Sequence, residues 1–341
     1  MQIRLKWKAF IAAFLFSTAP VTLAQADPPK QLRIAVIIGN GPESAWDGTF
    51  LEALERVKKA KPHDLTITTK VSDPLWGNDV ESAMRLYAQS GQFDIIWGHS
   101  TYSDQIAQLK DEFPDLMFVM TGSGNAPLGG NVYWNYKRVH EPAYLLGVLA
   151  GHATTSGVVG SVGTLPADDV NDEINAFFAG ARSVNPGIVT KVAFIQSWYD
   201  PAKAAEYMNS QIAAGVDVMF SLVDNFSPCD EHKETVVCIG NFRDDWQRSP
   251  RILSAPLALW DPDIERLVDV WYDHEANGTP YAGNTQMLWS TMAEGGAAVA
   301  SFHGRESLVP AKAIAAFEAA KAAYDAGKLQ IPLDVSLPVS K

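Results

Sequence analysis

The sequence predicts an α/β protein with two doubly wound parallel-sheet domains connected by a hinge. In this chain of 341 residues, short apolar runs typical of buried strands alternate with amphipathic runs of helical period. The alternation occurs in two successive series of strands, which indicates two sheets rather than one. The residues after about 250 are too few for a third domain, so we expect them to return to the first two.

The first series begins with the strand LRIAVII at residues 32–38. The helix that follows places Phe50, Leu54 and Val57 on one face, at the spacing of an amphipathic helix. The later strands are LTITTKV, FDIIWG and LMFVMTG, and the helices between them are NDVESAMRLYAQ and YSDQIAQLKDEF. Such continuous apolar strands are expected in a parallel sheet that is covered on both faces.

The second series begins with the helix EPAYLLGVLAGHA, which has Pro142 in its first turn, where a missing N–H costs little. Its strands are GVVGSVG, TKVAFIQ, VDVMFSLV and ETVVCIG. The helices between these strands are DVNDEINAFFAGARSV, PAKAAEYMNSQIAAG and the short PCDEHKE. The same strand–helix alternation therefore predicts a second parallel sheet.

The C-terminal part contains RILSAPLALW, the helix DPDIERLVDVWYDHEANG, the stretch TQMLWSTM and the helix PAKAIAAFEAAKAAYDAG. Assigning these segments to the two domains predicts an N-terminal lobe of residues 31–136 plus 257–287. The C-terminal lobe would then comprise residues 137–256 plus 288–341. A chain that crosses between lobes in this way has a hinge and a cleft, and ligands of parallel sheets bind beyond the carboxyl ends of the strands.

Residues 1–26 have the pattern of a secretory signal peptide. Arg4, Lys6 and Lys8 precede a short apolar stretch, and Ala24 and Ala26 form a small-x-small cleavage site. The apolar stretch is shorter than the roughly 20 residues that a membrane anchor needs. With no cysteine near the cleavage site, we expect an exported, soluble protein of the periplasm that is not lipid-anchored.

The acidic charge argues against negatively charged macromolecular partners. The chain has a formal charge of -12, and removal of the three signal-peptide cations leaves it near -15. Such a protein should not bind nucleic acid or anionic membranes non-specifically. The only cysteines, Cys229 and Cys238, form either a small disulfide loop in an oxidising compartment or a pair of buried thiols.

The sequence carries no motif that supports catalysis, a cofactor or a metal. GNGPES at residues 39–44 lacks the third glycine of a dinucleotide fingerprint, so a tight turn that exposes helix N–H groups to a ligand fits better. His140 and Glu141 begin like a metalloprotease helix, but Tyr144 stands where the second histidine would be. No G-x-S-x-G sequence occurs, and the seven histidines are scattered without ligand spacing.

Aromatic rings, acids and an amide repeatedly follow the predicted strands. Because the carboxyl ends of the strands should converge on one cleft, their coincidence predicts a binding site for a flat polar heterocycle, neutral or cationic, or a sugar. Taken singly, most have structural explanations, such as a helix cap for Asp104 or Asp200. The residues are Trp46, Tyr102, Asp104, Trp198, Asp200, Asp224, Asn225, Asp244, Asp245 and Trp246.

Four stretches resemble the basic membrane protein family, the substrate-binding components of ABC importers, which include purine nucleoside receptors. They are YWNYKRVHEPAYLLGVLAG, GVVGSVG, FFAGARSVNP and SWYDPAKAAEYMNSQIAAGVDVMFSLVDN. The combination of the HE-x-AYL-x-G-x-LAG helix with the aromatic-x-D-P-x-K turn is specific, and the likeness spans nearly the whole mature chain. The resemblance implies a type I periplasmic binding protein fold with a three-segment hinge.

The resemblance also implies which residues face the cleft. In the family an aromatic residue from each lobe sandwiches a purine ring, and the matching positions here are Trp46 and Trp198. Tyr199 should then point to the opposite side of its extended segment, into the core. The family branch further implies cleft positions for Tyr102, Asp224, Asp244 and Trp289.

Two departures from the family pattern concern the sugar of a nucleoside. Nucleoside receptors carry an aspartate for the ribose where Phe242 stands in GNFRDD. The lysine that they carry after ILTS is missing from RILSAPLALW. Both losses favour a free nucleobase or another flat heterocycle over a nucleoside.

The leading hypothesis is therefore a periplasmic binding protein that is not an enzyme and uses no cofactor. It would act as a monomer and deliver a purine-like heterocycle to ABC permease subunits. Within binding proteins, the alternative is another small solute such as a sugar. From other classes, the alternatives are a chemoreceptor-coupled sensor and a secreted hydrolase.

Overall fold

The fold was analysed in a computed structural model, which describes residues 28–341. The signal peptide predicted at residues 1–26 lies outside the described residues. In residues 28–341 there is no helix whose length and apolar character would let it cross a bilayer. This part of the chain contains two five-stranded sheets and a two-stranded sheet.

The first sheet is parallel throughout and has the strand order β2-β1-β3-β4-β5. In β1, Leu32 and Ile34 pack into the core on one face of the sheet, and Ala35 and Ile37 pack into a second core on the other. Alternate residues of a strand point to opposite faces, so both faces are buried, as the continuous apolar run predicts. The strands are β1 (Gln31–Ile37), β2 (Thr66–Val71), β3 (Ile95–Gly98), β4 (Met117–Thr121) and β5 (Val132–Asn135), and the helices are α1 (Ala45–Ala60), α2 (Asn78–Ser90) and α3 (Ser103–Ala107).

The second sheet is also parallel and has the order β10-β9-β8-β6-β7. Asp200 caps one of its helices by accepting a hydrogen bond from the N–H of Lys203 at 3.0 Å, and Pro201 starts that helix. The helices are α4 (His140–Ala153), α5 (Asp168–Val184), α6 (Pro201–Ala213) and α7 (Ser227–Glu231). The strands are β6 (Val158–Gly163), β7 (Val189–Phe194), β8 (Val218–Ser221), β9 (Val237–Ile239) and β10 (Ile252–Ser254).

The C-terminal segments divide between the two sheets. Helix α8 (Asp261–Asn277) adds apolar side chains to the first core, and helix α9 (Ala311–Asp325) adds Phe317 to the core of the second sheet. Strands β11 (Pro256–Ala258) and β12 (Ala297–Val299) form an antiparallel pair. We call the first sheet with α1–α3 and α8 lobe 1, and the second sheet with α4–α7 and α9 lobe 2; the residue bounds of the domains stay a prediction.

The segment after β5 is anchored to both lobes by consecutive residues. Lys137 is fully buried and forms an ion pair with Asp263 of α8. Arg138 is 2% exposed and pairs with Asp168, at 2.7 Å, and with Asp172, both in α5. These two neighbouring side chains therefore reach opposite lobes, and one cation fastens this crossing to each of them.

Glycines allow α4 and α5 to approach without side chains between them. A Cβ at Gly147 would lie 2.0 Å from the backbone oxygen of Phe177. A Cβ at Gly180 would lie 2.1 Å from the backbone oxygen of Tyr144. The HE-x-AYL-x-G-x-LAG motif therefore has a physical reason, because its first glycine lets the backbones of two helices touch.

The structure joins Cys229 of α7 to Cys238 of β9 by a disulfide bond, so of the two alternatives the sequence left open, it has the bonded pair. Both cysteines are fully buried. The bond fastens the short helix α7 to the sheet beneath it. A loop of this size is stabilised by roughly 2–3 kcal/mol in the chain-entropy description.

The α4–α5 contact gives a test of the fold. We expect Gly147→Ala to lower the free energy of unfolding by about 1–3 kcal/mol, because the clash with backbone outweighs the better helix propensity of alanine. Urea denaturation followed by circular dichroism measures the change. Gly187→Ala is the matched control, since a Cβ there meets no atom within 4 Å. Equal stability of both variants and the wild type would contradict the backbone contact.

Candidate functional site

A cavity of about 660 Å³, counted with the space at its mouth, lies between the two lobes. Residues at or just after the carboxyl ends of strands in both sheets line it, as expected for open parallel sheets. Lobe 1 contributes Asn40, Ser44, Trp46, Trp76, Ser100, Thr101, Thr121, Gly122 and Ser123. The second series of strands contributes Thr164, Asp169, Val170, Trp198, Leu222, Asp224, Asn241 and Phe242.

Trp46 lies in the first turn of α1 and is held in one orientation. Its indole N–H donates a hydrogen bond to the backbone oxygen of His99 at 3.2 Å. Its ring meets Trp260 and Phe242 edge to face, with centroids 5.1 Å and 5.3 Å away. These contacts fix the ring before any ligand arrives, so little conformational entropy would be lost when a ligand stacks on it.

Trp198 follows β7 and lines the cavity from lobe 2. It is half-buried and packs against the core of its lobe. Gln196, two residues before it, has a φ of 57°, a left-handed conformation that turns the chain at the end of the strand. The prediction that Tyr199 is a core residue is wrong, because its side chain is only half-buried at the turn before α6.

Asp224 lines the cavity after β8, also with a left-handed φ of 53°. Its Oδ2 accepts a hydrogen bond from the backbone N–H of Ala45 at 3.0 Å, across the cleft. The first-turn N–H of α1 that the GNGPES turn was expected to offer to a ligand is therefore taken by Asp224. Burial raises the pKa of this carboxyl group to about 6.

The structure keeps the other three predicted cleft residues away from the cavity. Tyr102 is 1% exposed because its ring packs against Gly98 and its hydroxyl donates to the backbone oxygen of Leu75 at 2.8 Å. Asp244 lies on the surface, with Oδ2 2.8 Å from Nε2 of His303. Trp289 forms a bridge with Tyr136 beside the first crossing and meets His140 edge to face.

Sequence reasoning missed several cavity residues. Trp76 follows β2, so the rule that found Trp46 and Trp198 also applies to it; its indole N–H donates to the backbone oxygen of Gly39 at 2.7 Å. Phe242 was noted only as a departure from a family pattern, yet it lines the cavity. Asp169 opens α5 rather than ending a strand, so no strand-end signal could identify it.

Behind Asp169 lies a cluster of buried acids on α5. Burial raises the pKa of Asp169 to about 6 and that of Asp172 to about 8, although Arg138 opposes both shifts. Glu173 is fully buried, and neither of its carboxyl oxygens has a hydrogen-bond partner. Burial, reinforced by Asp172, raises its pKa well above the ordinary value and so favours the neutral form of this carboxyl group.

The cavity has the chemistry of a binding site for a small molecule. Within residues 28–341, the side chains that line it include Asp169 and Asp224 but no Lys, Arg or His. In the same range, no group of three or more His, Cys, Asp and Glu side chains is placed to hold a metal ion. Aromatic faces with a few acceptors and hydroxyl groups suit a flat, uncharged or cationic molecule that carries N–H donors.

Two parallel-sheet lobes with a cavity at the carboxyl ends of their strands define a type I periplasmic binding protein fold. The family described as ABC transporter substrate-binding protein PnrA-like matches residues 33–228, more than half of the 341 residues. The chain belongs to this family, as the resemblance read from the sequence indicates.

Relatives of known name give the ligand classes of similar proteins. The chain is 28% identical over 301 residues to a purine-binding protein of Brucella abortus, covering 86% of this chain and 80% of the relative. It is 32% identical over 154 residues to a putative ABC transporter glucose-binding protein of Haloferax volcanii, covering 45% of this chain and 39% of the relative. A nucleoside-binding protein of Lactococcus lactis is 31% identical over 81 residues, or 24% of this chain and 23% of the relative.

Solved structures share the fold at low sequence identity. A solute-binding protein of an ABC transporter system from Conexibacter woesei superposes with a TM-score of 0.68 at 20% identity, covering 89% of this chain and 99% of that one. A transcriptional activator of the comK gene from Bacillus halodurans also superposes with a TM-score of 0.68, at 18% identity, covering 88% of this chain and 99% of that one. At such identities the likeness concerns the fold alone.

The buried acids predict how stability changes with pH. Because the pKa values of Asp169, Asp172 and Glu173 are raised in the folded state, that state binds more protons than the unfolded chain above about pH 4. Their contribution to the free energy of unfolding should therefore fall as pH rises from 5 to 8. We expect Glu173→Gln to lose less stability over this range than the wild type.

Urea denaturation at pH 5, 6.5 and 8 measures this difference. Glu206→Gln is the control, since Glu206 is exposed on α6 and its substitution removes the same charge. Parallel pH profiles for Glu173→Gln and the wild type would show that Glu173 does not titrate as its burial requires.

Proposed function

We propose that this protein is a periplasmic binding component of an ABC importer that captures a purine-like heterocycle, with a free nucleobase favoured over a nucleoside. The observation that supports this most is the composition of the cavity. Trp46 and Trp198 reach it from opposite lobes, and Asp169 and Asp224 supply acceptors without a cation among the described lining residues. A planar ring with N–H donors satisfies both features.

The placement of the aromatic side chains favours a ligand that bridges the lobes. Trp46 belongs to lobe 1 and is already fixed by His99 and Trp260, whereas Trp198 belongs to lobe 2. A ring stacked on both would gain more when the lobes are closed than when they are open. Ligand binding would then shift the protein toward closure, and the closed protein would deliver the ligand to the permease subunits.

The charges of the site argue against nucleotides. Phosphate groups are normally held by Arg, Lys or helix N-termini. The lining residues in the described part of the chain include no cationic side chain, and Asp224 already occupies the N–H of Ala45 at the start of α1. An anionic ligand would instead meet two carboxyl groups.

Phe242 favours the free base over the nucleoside. Its ring lines the cavity and lies edge to face with Trp46, at 5.3 Å between centroids. An apolar ring at this position offers the ribose hydroxyls no partner, and polar groups desolvated without partners cost binding energy. The ribose would have to be accommodated elsewhere or exposed to solvent.

A sugar is the second candidate ligand. The Haloferax volcanii relative is named as a putative glucose-binding protein, and one solved structure with this fold holds D-allose. Aromatic faces with carboxylate and hydroxyl partners also suit a pyranose ring. We place the protein in the periplasm as a monomer under either ligand, and a chemoreceptor role would use the same cleft.

The sandwich predicts a loss of affinity when one ring is removed. Stacking of a base on an aromatic ring is worth about 1–3 kcal/mol by alanine substitution, so Trp198→Ala should weaken adenine binding roughly tenfold to a hundredfold. Trp198→Phe keeps an aromatic face and should cost less. Calorimetric titration of adenine, guanine, adenosine and a sugar panel measures these affinities.

Tyr199→Ala is the matched control, because this neighbouring ring does not line the cavity. It should bind adenine like the wild type. Equal affinity of Trp198→Ala and the wild type would rule out the sandwich. If sugars bind and purines do not, the heterocycle proposal fails and the second candidate replaces it.

The role of Phe242 predicts a change in ligand preference. Phe242 has a φ of 58°, a conformation that asparagine tolerates well, so Phe242→Asn should keep the backbone while it removes the ring. We expect the preference for adenine over adenosine to narrow by about tenfold, which corresponds to roughly 1.4 kcal/mol. Calorimetric titration of both ligands gives the ratio.

Leu222→Ala enlarges the same cavity from another strand end and is the control for volume alone. It should leave the ratio of the two affinities unchanged. A Phe242→Asn variant with the wild-type ratio would show that Phe242 does not select against the ribose.

A further inference from the structure

Beside the cavity, lobe 2 reaches across the cleft to the start of α1. We call this the lip contact and define it by Pro42, Glu43 and Ala45 on one side and Asp224 and Arg243 on the other. Arg243 follows Phe242 but does not itself line the cavity. The segment that it contacts leads directly into Trp46.

Arg243 contributes two hydrogen bonds across the cleft. Its Nη1 donates to the backbone oxygen of Pro42 and its Nη2 to the backbone oxygen of Glu43, both at 3.3 Å. Its Nε donates to Oδ1 of Asp245 at 2.8 Å. The planar guanidinium group is thus held by an acid within lobe 2 while its outer nitrogens bind backbone oxygens of lobe 1.

Asp224 belongs to the same network. Its Oδ2 accepts from the N–H of Ala45 at 3.0 Å, and its backbone oxygen accepts from Nη2 of Arg248 at 2.9 Å. Arg248 in turn donates to Asp245 at 3.1 Å. Asp245 therefore braces Arg243 and Arg248 together, and the network reaches the backbone of lobe 1 at three residues, Pro42, Glu43 and Ala45.

The shape of α1 makes room for the guanidinium group. A Cβ at Gly48 would lie 2.5 Å from Nη1 of Arg243, so a larger residue on this turn of α1 would displace the arginine. On the other side of the cleft, Asp224 and Phe242 both have left-handed φ values, of 53° and 58°. Backbone of this kind is uncommon for residues other than glycine, and it is retained when it positions something useful.

We propose that Arg243 is a positioning residue that, with Asp224, holds the start of α1 and Trp46 against lobe 2 and so stabilises the closed form. Opening of the lobes would break the bonds to Pro42, Glu43 and Ala45, so these bonds favour only closure. The ligand-free protein then populates the closed form, and ligand dissociation requires the lip contact to break. The ligand-bound part of this inference rests on the proposed function.

Two measurements on Arg243→Ala test the proposal. In the ligand-free protein, spin labels at Asp79→Cys and Lys203→Cys report the distance between the lobes, and we expect the short-distance population to shrink in the variant. With adenine, stopped-flow tryptophan fluorescence should show a rate constant for dissociation raised about tenfold, with association changed less than about twofold. A merely destabilised fold would not separate the two rates in this way.

Further variants sharpen the result. Arg243→Lys keeps the charge but loses the fork that spans two oxygens, so its effect should be intermediate. Asp245→Asn weakens the brace of Arg243 and should change both measurements in the same direction as Arg243→Ala. It replaces Arg243→Ala in the test if that variant does not fold. Arg182→Ala removes an arginine of α5 that bonds to Thr190 within lobe 2, and it should match the wild type in both measurements.

The outcomes separate this inference from the proposed function. Unchanged distances and dissociation rates in Arg243→Ala would overturn the role of the lip contact and leave purine binding intact. A ligand-free wild type without a short-distance population would overturn it too. If adenine does not bind, the proposed ligand fails, and the ligand-free distances alone decide whether Arg243 favours closure.

Discussion

Two buried cations at consecutive positions set the geometry on which the cleft depends. Lys137 pairs with Asp263 in lobe 1, and Arg138 pairs with Asp168 and Asp172 in lobe 2. Removing either partner of a buried ion pair leaves an uncompensated charge, which typically costs about 3–5 kcal/mol. The crossing between the lobes is therefore fixed to each of them. When the lobes move relative to each other, these ion pairs should stay formed.

The anchors also connect the hinge to the electrostatics of the site. Arg138 is the cation that faces the acids of α5, and it opposes the rise in the pKa values of Asp169 and Asp172. Asp169 lines the cavity, whereas Asp172 and Glu173 lie behind it. The charge of Asp169 in the cleft thus depends in part on Arg138, whose ion pairs also anchor the crossing between the lobes.

The alternation of apolar strands with amphipathic helices in two series was sufficient to predict two parallel-sheet lobes, because strands that alternate with helices in this way form parallel sheets. The site was harder to predict. Trp46 and Trp198 were found by their place after strands, and Trp76 could have been found by the same rule. Tyr102 obeys that rule too, but its ring turns back over Gly98 and its hydroxyl donates to the backbone oxygen of Leu75, a partner that no local pattern indicates.

Asp224 shows a different limit of sequence reasoning. Its position at the end of β8 predicted a cleft residue, and it does line the cavity. Its partner, the N–H of Ala45, is 179 residues away, and nothing local indicates the pairing. Phe242 and Arg243 likewise reach residues of lobe 1 only when the lobes are placed side by side.

The contact between α4 and α5 has a consequence for how such a protein can change over generations. Where Gly147 and Gly180 bring backbone against backbone, almost any replacement adds atoms that have no space. The turns that place side chains such as Trp198 and Phe242 in the cavity border open space instead. Divergence toward new solutes should therefore accumulate in those turns, while the paired helices hold the scaffold constant.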